Sequence, residues 1–460
     1  LFLSSKYANI KLIISGLKLY LYKIQSERML IVSKSQIQMK SSFWAARSEF
    51  NQIYKNFLFV SDYYQKIYGE RYIDLFTAST FSKVVPSLIA TKDYVNELKS
   101  DMYYQEYPSP SGDDQLINSF IDFIKRVYQL DFSSYEIMVC QGTMQAIDAI
   151  SRVLNGKIVF VMDSTVTFAK SIPTANGAKI VLIKTNNGII DFDDLEKKIK
   201  AYSPQEYMYL YLNYPNNPTG AQLSKSEFSK LIDITQKYNL QIVHDHDICF
   251  TSYDPERPAI SIFADKRAIE NSIEIYTLSK EFGLSGLRVG IIVGNKKFIR
   301  MIKYHNYEMN IMIPSLNQRL AALALQRADP KIISNKIQST MKVLVEGFQS
   351  LGWTHLKMPQ AGIAFLLPVP NSYVKEYGDK SGAIFSFYLQ KNYGIGVGPA
   401  KCNCLTKGQY IRVLAMEPSE KCQKMFDFIK NKVNVDMEID HRLYSDYCNI
   451  IQLAEEHDVR

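Results

Sequence analysis

The chain has 460 residues, of which 47% are hydrophobic and 22% are charged, so it can bury a large core. A chain of this length is longer than most single domains, and we expect two domains. Its formal net charge of +8 arises from 54 basic and 46 acidic residues without a block of consecutive Lys and Arg, which argues against a nucleic-acid-binding arm. Six cysteines in so long a chain do not make a disulfide framework, and they indicate a reducing, cytoplasmic location.

The first 40 residues carry no readable fold signal. Residues 10–24 are apolar, but Lys11, Lys18 and Lys23 interrupt them and the stretch is too short to span a bilayer. No small-residue cleavage site follows, so a signal peptide is not predicted. We therefore interpret residues 1–40 as an unassigned N-terminal extension and expect no membrane partner.

Seven short apolar runs between residues 135 and 295 predict strands that are buried on both faces. They are YEIMVC (135–140), KIVFVM (157–162), AKIVLI (178–183), YMYLYLN (207–213), LQIVHD (240–245), SIEIYTLS (272–279) and VGIIVGN (289–295). Helical patterns lie between several of them, and Ser224 with Glu227 forms a capping box before the helix predicted at 225–238. This alternation predicts an α/β fold, with a mostly parallel sheet covered by helices and ligands at the carboxyl ends of its strands.

The chain changes character after residue 330. A helical stretch precedes strand-like segments at 361–370, 394–399 and 409–416, and a helix is expected near 420–433. These patterns predict a smaller α+β domain. The predicted division is an extension at 1–40, an N-terminal arm and part of the small domain at 41–100, a large domain at 101–330, and a small C-terminal domain at 331–460.

The segment TLSKEFGLSGLRVG (277–290) carries the strongest chemical signal. Lys280 follows a buried strand, where a charged amine is costly unless it is neutralised or covalently engaged. Desolvation favours the neutral amine, which can form an imine with an aldehyde cofactor. Glycines in the segment allow the backbone to turn back, so that the Arg288 guanidinium can bind a phosphate bidentately.

Two turns follow other predicted strands. In NYPNNPTG (213–220), the prolines and the glycine fix a rigid turn that presents Asn217, although the motif alone could be a tight surface turn. In CQGTMQAI (140–147), Gly142 separates a strand from a helix whose free N–H groups could cradle a phosphate. A lone glycine before a helix is more often a structural loop, so this signal is weak by itself.

The segment LQIVHDHDICF (240–250) ends a buried strand with an acidic residue, which is either paired or functional. His244 and His246 flank Asp245 and share a face of the strand, so they could in principle ligate a metal. No third ligand is evident at a useful spacing. We therefore expect supporting or core histidines and no metal site.

Together, the four motifs resemble those of the fold-type-I, class I/II aminotransferases, and the resemblance covers nearly all of residues 70–460. Asn217 precedes Asp245 by 28 residues, Asp245 precedes Lys280 by 35, and Lys280 precedes Arg288 by 8. The resemblance implies the pyridoxal-phosphate-dependent transferase fold, with a seven-stranded sheet and pyridoxal 5′-phosphate bound to Lys280 as a Schiff base. It also implies transfer of an amino group between an L-amino acid and a 2-oxo acid, in a homodimer with shared active sites.

The same resemblance implies a role for each matching residue. Lys280 and Asp245 are the catalytic pair: Lys280 moves the substrate proton, and Asp245 keeps the pyridine nitrogen of the cofactor protonated. Asn217 bonds the ring hydroxyl oxygen of the cofactor and adjoins the substrate. The phosphate site comprises Gly142, Thr143, Met144, Thr277 and Arg288, together with Tyr107 reaching across from the neighbouring subunit. The remaining substrate positions are Arg412, which binds the α-carboxylate, and Ala78.

Two positions depart from the family pattern. Ile248 stands where the family usually has a tyrosine, three residues after the aspartate. A pairing shifted by two would align Asp247 and Phe250 instead, again without a phenol, and the missing phenol should raise the pKa of the imine. The aromatic ring that commonly stacks on the cofactor falls near Val166, and Phe168 is the alternative candidate.

These departures keep a second function open, in which the same site performs other Cα chemistry such as oxidation, elimination or cyclisation. A third hypothesis is a regulator with an aminotransferase-like sensor domain. Such regulators carry an N-terminal helix–turn–helix domain, and residues 1–70 show neither that pattern nor a basic recognition face. The amino-acid substrate is not identified, because no second arginine can be assigned to a distal carboxylate.

Overall fold

The computed structural model describes residues 42–77, 83–100, 107–154, 158–202, 206–254, 257–310, 312–403 and 408–458. Residues 46–460 group into one compact unit. The predicted extension at 1–40 and the predicted substrate residue Ala78 lie outside the described residues. None of the helices within the described ranges has both the length and the apolar character that a membrane crossing requires.

Helices occur from the beginning to the end of the described chain. They are α1 (Ser42–Tyr68), α2 (Thr91–Ser100), α3 (Asp114–Tyr128), α4 (Thr143–Leu154), α5 (Phe168–Ala175), α6 (Phe192–Ile199), α7 (Lys225–Lys237), α8 (Lys296–Asn310), α9 (Ser315–Arg327), α10 (Pro330–Ser350), α11 (Asn371–Tyr377), α12 (Ser381–Tyr393), α13 (Ser419–Ile429) and α14 (Leu443–Asp458). The predicted capping box is confirmed at the start of α7, where the Ser224 and Glu227 side chains each bond the backbone of the other residue.

Helices α4, α5, α6 and α7 separate several of the strands up to residue 294. They are β1 (Ile73–Asp74), β2 (Glu136–Cys140), β3 (Ile158–Met162), β4 (Lys179–Ile183), β5 (Thr185–Asn186), β6 (Ile189–Ile190), β7 (Met208–Asn213), β8 (Gln241–Asp245), β9 (Ser272–Thr277), β10 (Gly290–Gly294), β11 (Ala364–Pro368), β12 (Ile395–Gly396), β13 (Gly398–Pro399) and β14 (Tyr410–Leu414). Each of the seven runs predicted between residues 135 and 295 contains one strand, so those predictions are confirmed.

Seven strands form the central sheet in the order β2–β10–β9–β8–β7–β3–β4. Strand β10 is antiparallel to both of its neighbours, and the other pairs are parallel. The predicted mostly parallel, seven-stranded sheet is therefore confirmed. Alternate residues of β7 belong to different hydrophobic clusters, with Leu210 and Leu212 in one and Tyr209 and Tyr211 in the other, because helices cover both faces of the sheet.

A smaller set of strands lies in the C-terminal part of the chain. Strands β11, β14 and β13 form an antiparallel sheet. Strand β1 pairs in parallel with β12, where Ile73 lies opposite Ile395, so the N-terminal arm contributes to this region. This pairing is compatible with a small domain built from both ends of the chain, and the domain boundaries themselves stay a prediction.

The sheet topology determines where a site can form. Strands β7, β8 and β9 are parallel neighbours, and the register pairs Asn213 with Asp245 and Asp245 with Ile275. Their carboxyl ends therefore meet at one edge of the sheet. The motifs that follow these strands, with Asn217, Asp245 and Lys280, emerge at that edge.

Candidate functional site

Lys280 follows the last residue of β9 by three positions. Burial lowers the pKa of its amine, while the nearby carboxylates of Asp247 and Asp245 oppose that shift. Within the described ranges, no hydrogen bond or ion pair occupies the amine. An unpaired amine with a lowered pKa is a good nucleophile for an aldehyde, so Lys280 fits the predicted link to the cofactor.

Asp245 is the last residue of β8 and is fully buried. One carboxylate oxygen accepts a hydrogen bond from the Tyr211 hydroxyl, and the other, Oδ1, has no partner among the described residues. Burial, followed by the charge of Asp247, raises the pKa of Asp245 well above its usual range. A buried orphan acceptor is costly unless a ligand donates to it, so Oδ1 fits an N–H donor such as a protonated pyridine nitrogen.

The turn at 214–220 brings two of the predicted residues together. The Asn217 backbone N–H donates to Asn213 Oδ1 at 2.9 Å, which fixes the start of the turn to the end of β7. The Asn217 Oδ1 atom accepts from Arg412 Nη1 at 3.3 Å, although 195 residues separate the two in the chain. The predicted ring-hydroxyl ligand and the predicted substrate arginine thus lie side by side.

Arg412 lies on β14 and is almost fully buried. Its terminal nitrogens also donate to Asn403 Oδ1 and to the Phe76 carbonyl oxygen, each at 2.9 Å, and its Nε is buried without a hydrogen-bond partner. Over the described part of the chain, no carboxylate forms an ion pair with this guanidinium. A buried cation held only by neutral acceptors can accommodate a carboxylate ligand.

The predicted phosphate residues also meet at the edge of the sheet. Gly142 has a φ of +79°, and a Cβ at this position would lie 2.7 Å from Arg288 Nη2, so a glycine is needed for the close approach. Thr143 begins α4, whose first N–H groups have no partner within the helix. The register places Gly290 opposite both Cys140 and Thr277, which brings the ends of β2 and β9 beside Arg288. This arrangement fits an anion.

The other predicted site residues are less constrained by the described chain. Tyr107 is 83% exposed, and Met144 is exposed at the start of α4. Phe168 begins α5 and packs against the hydrophobic cluster that contains Val166. Because both side chains contact this cluster, their positions do not decide which of them stacks on the cofactor. The roles of Tyr107, Met144 and Phe168 stay predictions.

Ile248, at the position where the family usually has a tyrosine, is buried in the main hydrophobic cluster. The segment that contains it is instead held by Glu281, the neighbour of Lys280. Its carboxylate accepts from the backbone N–H groups of Cys249 at 2.6 Å and Thr251 at 2.7 Å, and from that of Phe250. Glu281 therefore ties the lysine-bearing turn to the segment after Asp245.

The two histidines form a buried network with a third residue that the sequence did not indicate. Glu274, on β9, lies beside them, and the potential ligand atoms of His244, His246 and Glu274 are all within 4.8 Å of one another. A third potential ligand is therefore present in the fold although its sequence spacing did not reveal it, and the absence of a metal site stays a prediction. These atoms already have hydrogen-bond partners within the protein. His244 Nδ1 lies 2.7 Å from Glu274 Oε1, and His246 Nε2 lies 2.8 Å from the Tyr128 hydroxyl.

Sequence patterns also missed several residues that support the site. Tyr211 bonds Asp245, and Asn213 bonds the Asp245 carbonyl oxygen and the Asp247 carboxylate. Asn403 bonds Arg412. A polar residue at the end of a buried strand was the available signal for Asn213, whereas Asn403 is brought in only by the tertiary fold.

Comparisons with known proteins agree with this geometry. The profile of the family described as aminotransferase class I and II matches residues 84–429. An LL-diaminopimelate aminotransferase from Dehalococcoides mccartyi is 30% identical over 245 residues, which cover 53% of this chain and 60% of the relative. An L-glutamine–4-(methylsulfanyl)-2-oxobutanoate aminotransferase from Bacillus subtilis is 28% identical over 298 residues, covering 61% of this chain and 72% of the relative.

Solved structures show the same fold. The N-succinyldiaminopimelate aminotransferase from Mycobacterium tuberculosis matches with a TM-score of 0.68 at 19% identity, covering 81% of this chain and 96% of that one. The similarity in sequence is less extensive, since the match spans about three fifths of the length of the Dehalococcoides relative.

Proposed function

Because the chain belongs to the class I and II aminotransferase family, whose members use pyridoxal 5′-phosphate, we propose that it transfers an amino group between an L-amino acid and a 2-oxo acid. The observation that carries the proposal is the unpaired Lys280 amine at the edge of the sheet where Asp245 ends β8 with a buried, unpartnered oxygen. These groups match the two reactive ends of the cofactor, its aldehyde and its ring nitrogen.

The described residues fit the cofactor along its length. Lys280 would hold the aldehyde carbon, Asp245 Oδ1 would accept from the ring nitrogen, and Asn217 would donate to the ring hydroxyl oxygen. Gly142, Thr143, Thr277 and Arg288 would bind the phosphate. When bound, pyridoxal phosphate supplies an electron sink for the negative charge that develops at the substrate Cα.

The chain itself supplies positioning and proton transfer. Arg412 would bind the substrate carboxylate, and its bond to Asn217 couples the substrate to the groups around the ring. When its amine is free, Lys280 could accept the Cα proton, because burial lowers its pKa towards the neutral form. Burial raises the pKa of Asp245, but a positive charge on the ring nitrogen beside Oδ1 would lower it again, so Asp245 would be ionised opposite the protonated ring.

We further propose that the protein is a homodimer. Tyr304 and Tyr307 on α8 are 73% and 56% exposed, and Met309 on the same helix and Met144 on α4 are also exposed. Helix α8 packs against α4, so these side chains lie on neighbouring elements. Exposed aromatic and methionine side chains are typical of protein interfaces, and Met144 begins the helix of the phosphate site.

A second candidate function is other Cα chemistry with the same cofactor. Ile248 favours it, since an aliphatic side chain cannot donate a hydrogen bond to the ring oxygen as the usual tyrosine does. The two functions differ in what they release. Oxygen uptake, or ammonia release without a 2-oxo acid acceptor, would identify the second function.

Single-turnover mixing with an amino donor tests the proposed transfer. We expect a 2-oxo acid to form in a 1:1 ratio to the enzyme, with the amino group retained on the cofactor until a second 2-oxo acid is added. The Lys280→Ala variant should lose this activity by at least about a thousandfold, whereas Lys225→Ala, at the exposed start of α7, should not. Turnover that survives in Lys280→Ala would contradict the proposal.

A further inference from the structure

Asp247 lies at the same edge of the sheet as the site, two residues after the end of β8, and it is only 5% exposed. The amide nitrogen of Asn213, at the end of β7, donates both to Asp247 Oδ1 at 3.3 Å and to the Asp245 carbonyl oxygen at 3.1 Å. The same Asn213 side chain accepts from the Asn217 backbone. Asn213, which is fully buried, therefore holds both Asp247 and the turn at 214–220 that carries Asn217.

Four charged groups from three parts of the fold act on the Lys280 amine. Asp245 ends β8 and Asp247 follows it, Arg412 lies on β14, and Arg288 precedes β10. Both arginines lower the pKa of Lys280, and both carboxylates raise it, with the larger of the two effects coming from Asp247. Asp247 is therefore the strongest favourable electrostatic partner of the amine.

Burial raises the pKa of Asp247 above its usual range, and Lys280, Asn213 and His244 oppose that rise. A protonated nitrogen on Lys280 would oppose it further and favour the ionised carboxylate. The neighbouring carboxylate, Asp245, is bonded by Tyr211 and would face the ring nitrogen. Within the described chain, neither carboxylate forms an ion pair.

Two buried carboxylates so close in the chain are costly unless each has its own positive partner. The loaded site offers two nitrogens that can carry a proton, the ring nitrogen of the cofactor and the nitrogen of Lys280. Asp245 ends the strand with an oxygen that fits the first of these, which leaves the second for Asp247.

We propose that Asp247 is a positioning residue of the active site, whose carboxylate keeps the cofactor-linked nitrogen of Lys280 protonated. This inference rests on the proposed function, since it requires the cofactor to be held on Lys280. A protonated nitrogen makes the attached carbon more electrophilic towards the amine of an incoming substrate. Asp247 would therefore extend the pH range over which the resting enzyme accepts an amino acid.

The absorption spectrum of the lysine-bound cofactor tests the proposal, because it reports whether that nitrogen carries a proton. Spectra of the holoenzyme would be recorded across pH for the wild type, Asp247→Asn and Asp247→Glu. Removal of an opposite charge near the nitrogen should shift the midpoint in Asp247→Asn downwards by about one to three pH units. Asp247→Glu should return the midpoint towards the wild-type value.

Asp233→Asn is the matched control, because Asp233 is exposed on α7 and pairs with Arg267 away from the site. Its midpoint should equal that of the wild type. If Asp247→Asn does not fold, Asp247→Ser provides the neutral variant for the same comparison with Asp247→Glu. A neutral variant that binds the cofactor fully and keeps the wild-type midpoint overturns the role of Asp247.

A separate measurement distinguishes this failure from failure of the proposed function. Borohydride reduction followed by mass spectrometry shows whether the cofactor is attached to Lys280 in the wild-type protein. If no adduct forms at Lys280, the proposed function itself is wrong, and the inference about Asp247 falls with it. An adduct at Lys280 with an unchanged midpoint refutes only the role of Asp247.

Discussion

Arg412 is held in place by neutral acceptors on three different segments of the chain. Its terminal nitrogens reach Asn217 after β7, Asn403 before β14 and the Phe76 carbonyl oxygen after β1. These bonds orient the guanidinium without neutralising its charge. The positive charge therefore remains available for a substrate carboxylate, which is the arrangement that a carboxylate-binding residue requires.

We predict that Arg412→Lys weakens amino-acid binding while leaving the cofactor in place. Lysine has one nitrogen and lacks the planar fork, so it cannot bond the three acceptors and a carboxylate together. Loss of one hydrogen bond to a charged group, at about 1.5–3 kcal/mol, should raise the KM for the amino donor about 10- to 100-fold. Steady-state kinetics and the holoenzyme spectrum measure the two effects.

Arg257→Lys is the matched control, because Arg257 pairs with Glu227 at the start of α7 rather than with a site residue. It should retain the wild-type KM. If Arg412→Lys also keeps the wild-type KM with a fully loaded cofactor, another residue binds the α-carboxylate.

At the scale of the elements, β8 and β9 are joined by a buried polar network. Both ring nitrogens of His244 lie within hydrogen-bonding distance of oxygen atoms, Glu274 Oε1 at 2.7 Å and the Tyr214 carbonyl oxygen at 3.0 Å. His246 donates from Nδ1 to the same carbonyl and accepts from the Tyr128 hydroxyl, so it is neutral. Burial lowers the pKa of His246 to about 4, in agreement with the neutral form.

This network predicts that acid destabilises the fold. Between pH 6.5 and 4, His246 takes up a proton in the unfolded chain and not in the folded one, so stability falls as the pH decreases. The shift corresponds to about 3 kcal/mol for His246. Glu274, whose pKa His244 and His246 lower to about 2 against the opposing effect of burial, acts in the same direction below pH 4.5.

Urea unfolding at several pH values measures this dependence. In His246→Gln, the loss of stability between pH 7 and 4 should be smaller than in the wild type by about 3 kcal/mol. His355→Gln, at an exposed position, should keep the full dependence. Equal pH dependence in His246→Gln and the wild type would show that His246 is protonated in the folded state.

The elements of the central sheet could be predicted from the sequence because strands buried on both faces need continuous apolar runs. The same rule concealed Glu274, which lies inside the run SIEIYTLS and was read as part of a strand. The motifs around Lys280 and Asn217 were visible because a local turn fixes them. The contacts of Arg412 with Asn403 and Phe76 were not, since they depend on how distant segments pack.

At the scale of the whole molecule, one predicted site residue lies at the surface of the described chain. Tyr107 was predicted to reach the phosphate of a neighbouring subunit, and it is 83% exposed. The aromatic side chains of α8 are exposed as well. The homodimer proposed above would account for both observations, because a second copy of the chain could cover α8 and receive Tyr107.

We predict that Tyr304→Glu combined with Tyr307→Glu yields a monomer with weakened cofactor binding. Two buried carboxylates would oppose association at an apolar interface, and a monomer would lack the hydrogen bond from the partner's Tyr107. Loss of such a bond to a charged phosphate should raise the Kd of the cofactor at least about tenfold. Sedimentation and cofactor titration measure mass and affinity on the same samples.

Tyr207→Glu is the control, because Tyr207 is 59% exposed immediately before β7. This variant tests whether a charge at any exposed tyrosine gives the same result, and it should remain dimeric. A dimeric double variant refutes the interface on α8, and a monomer with unchanged affinity refutes the shared site.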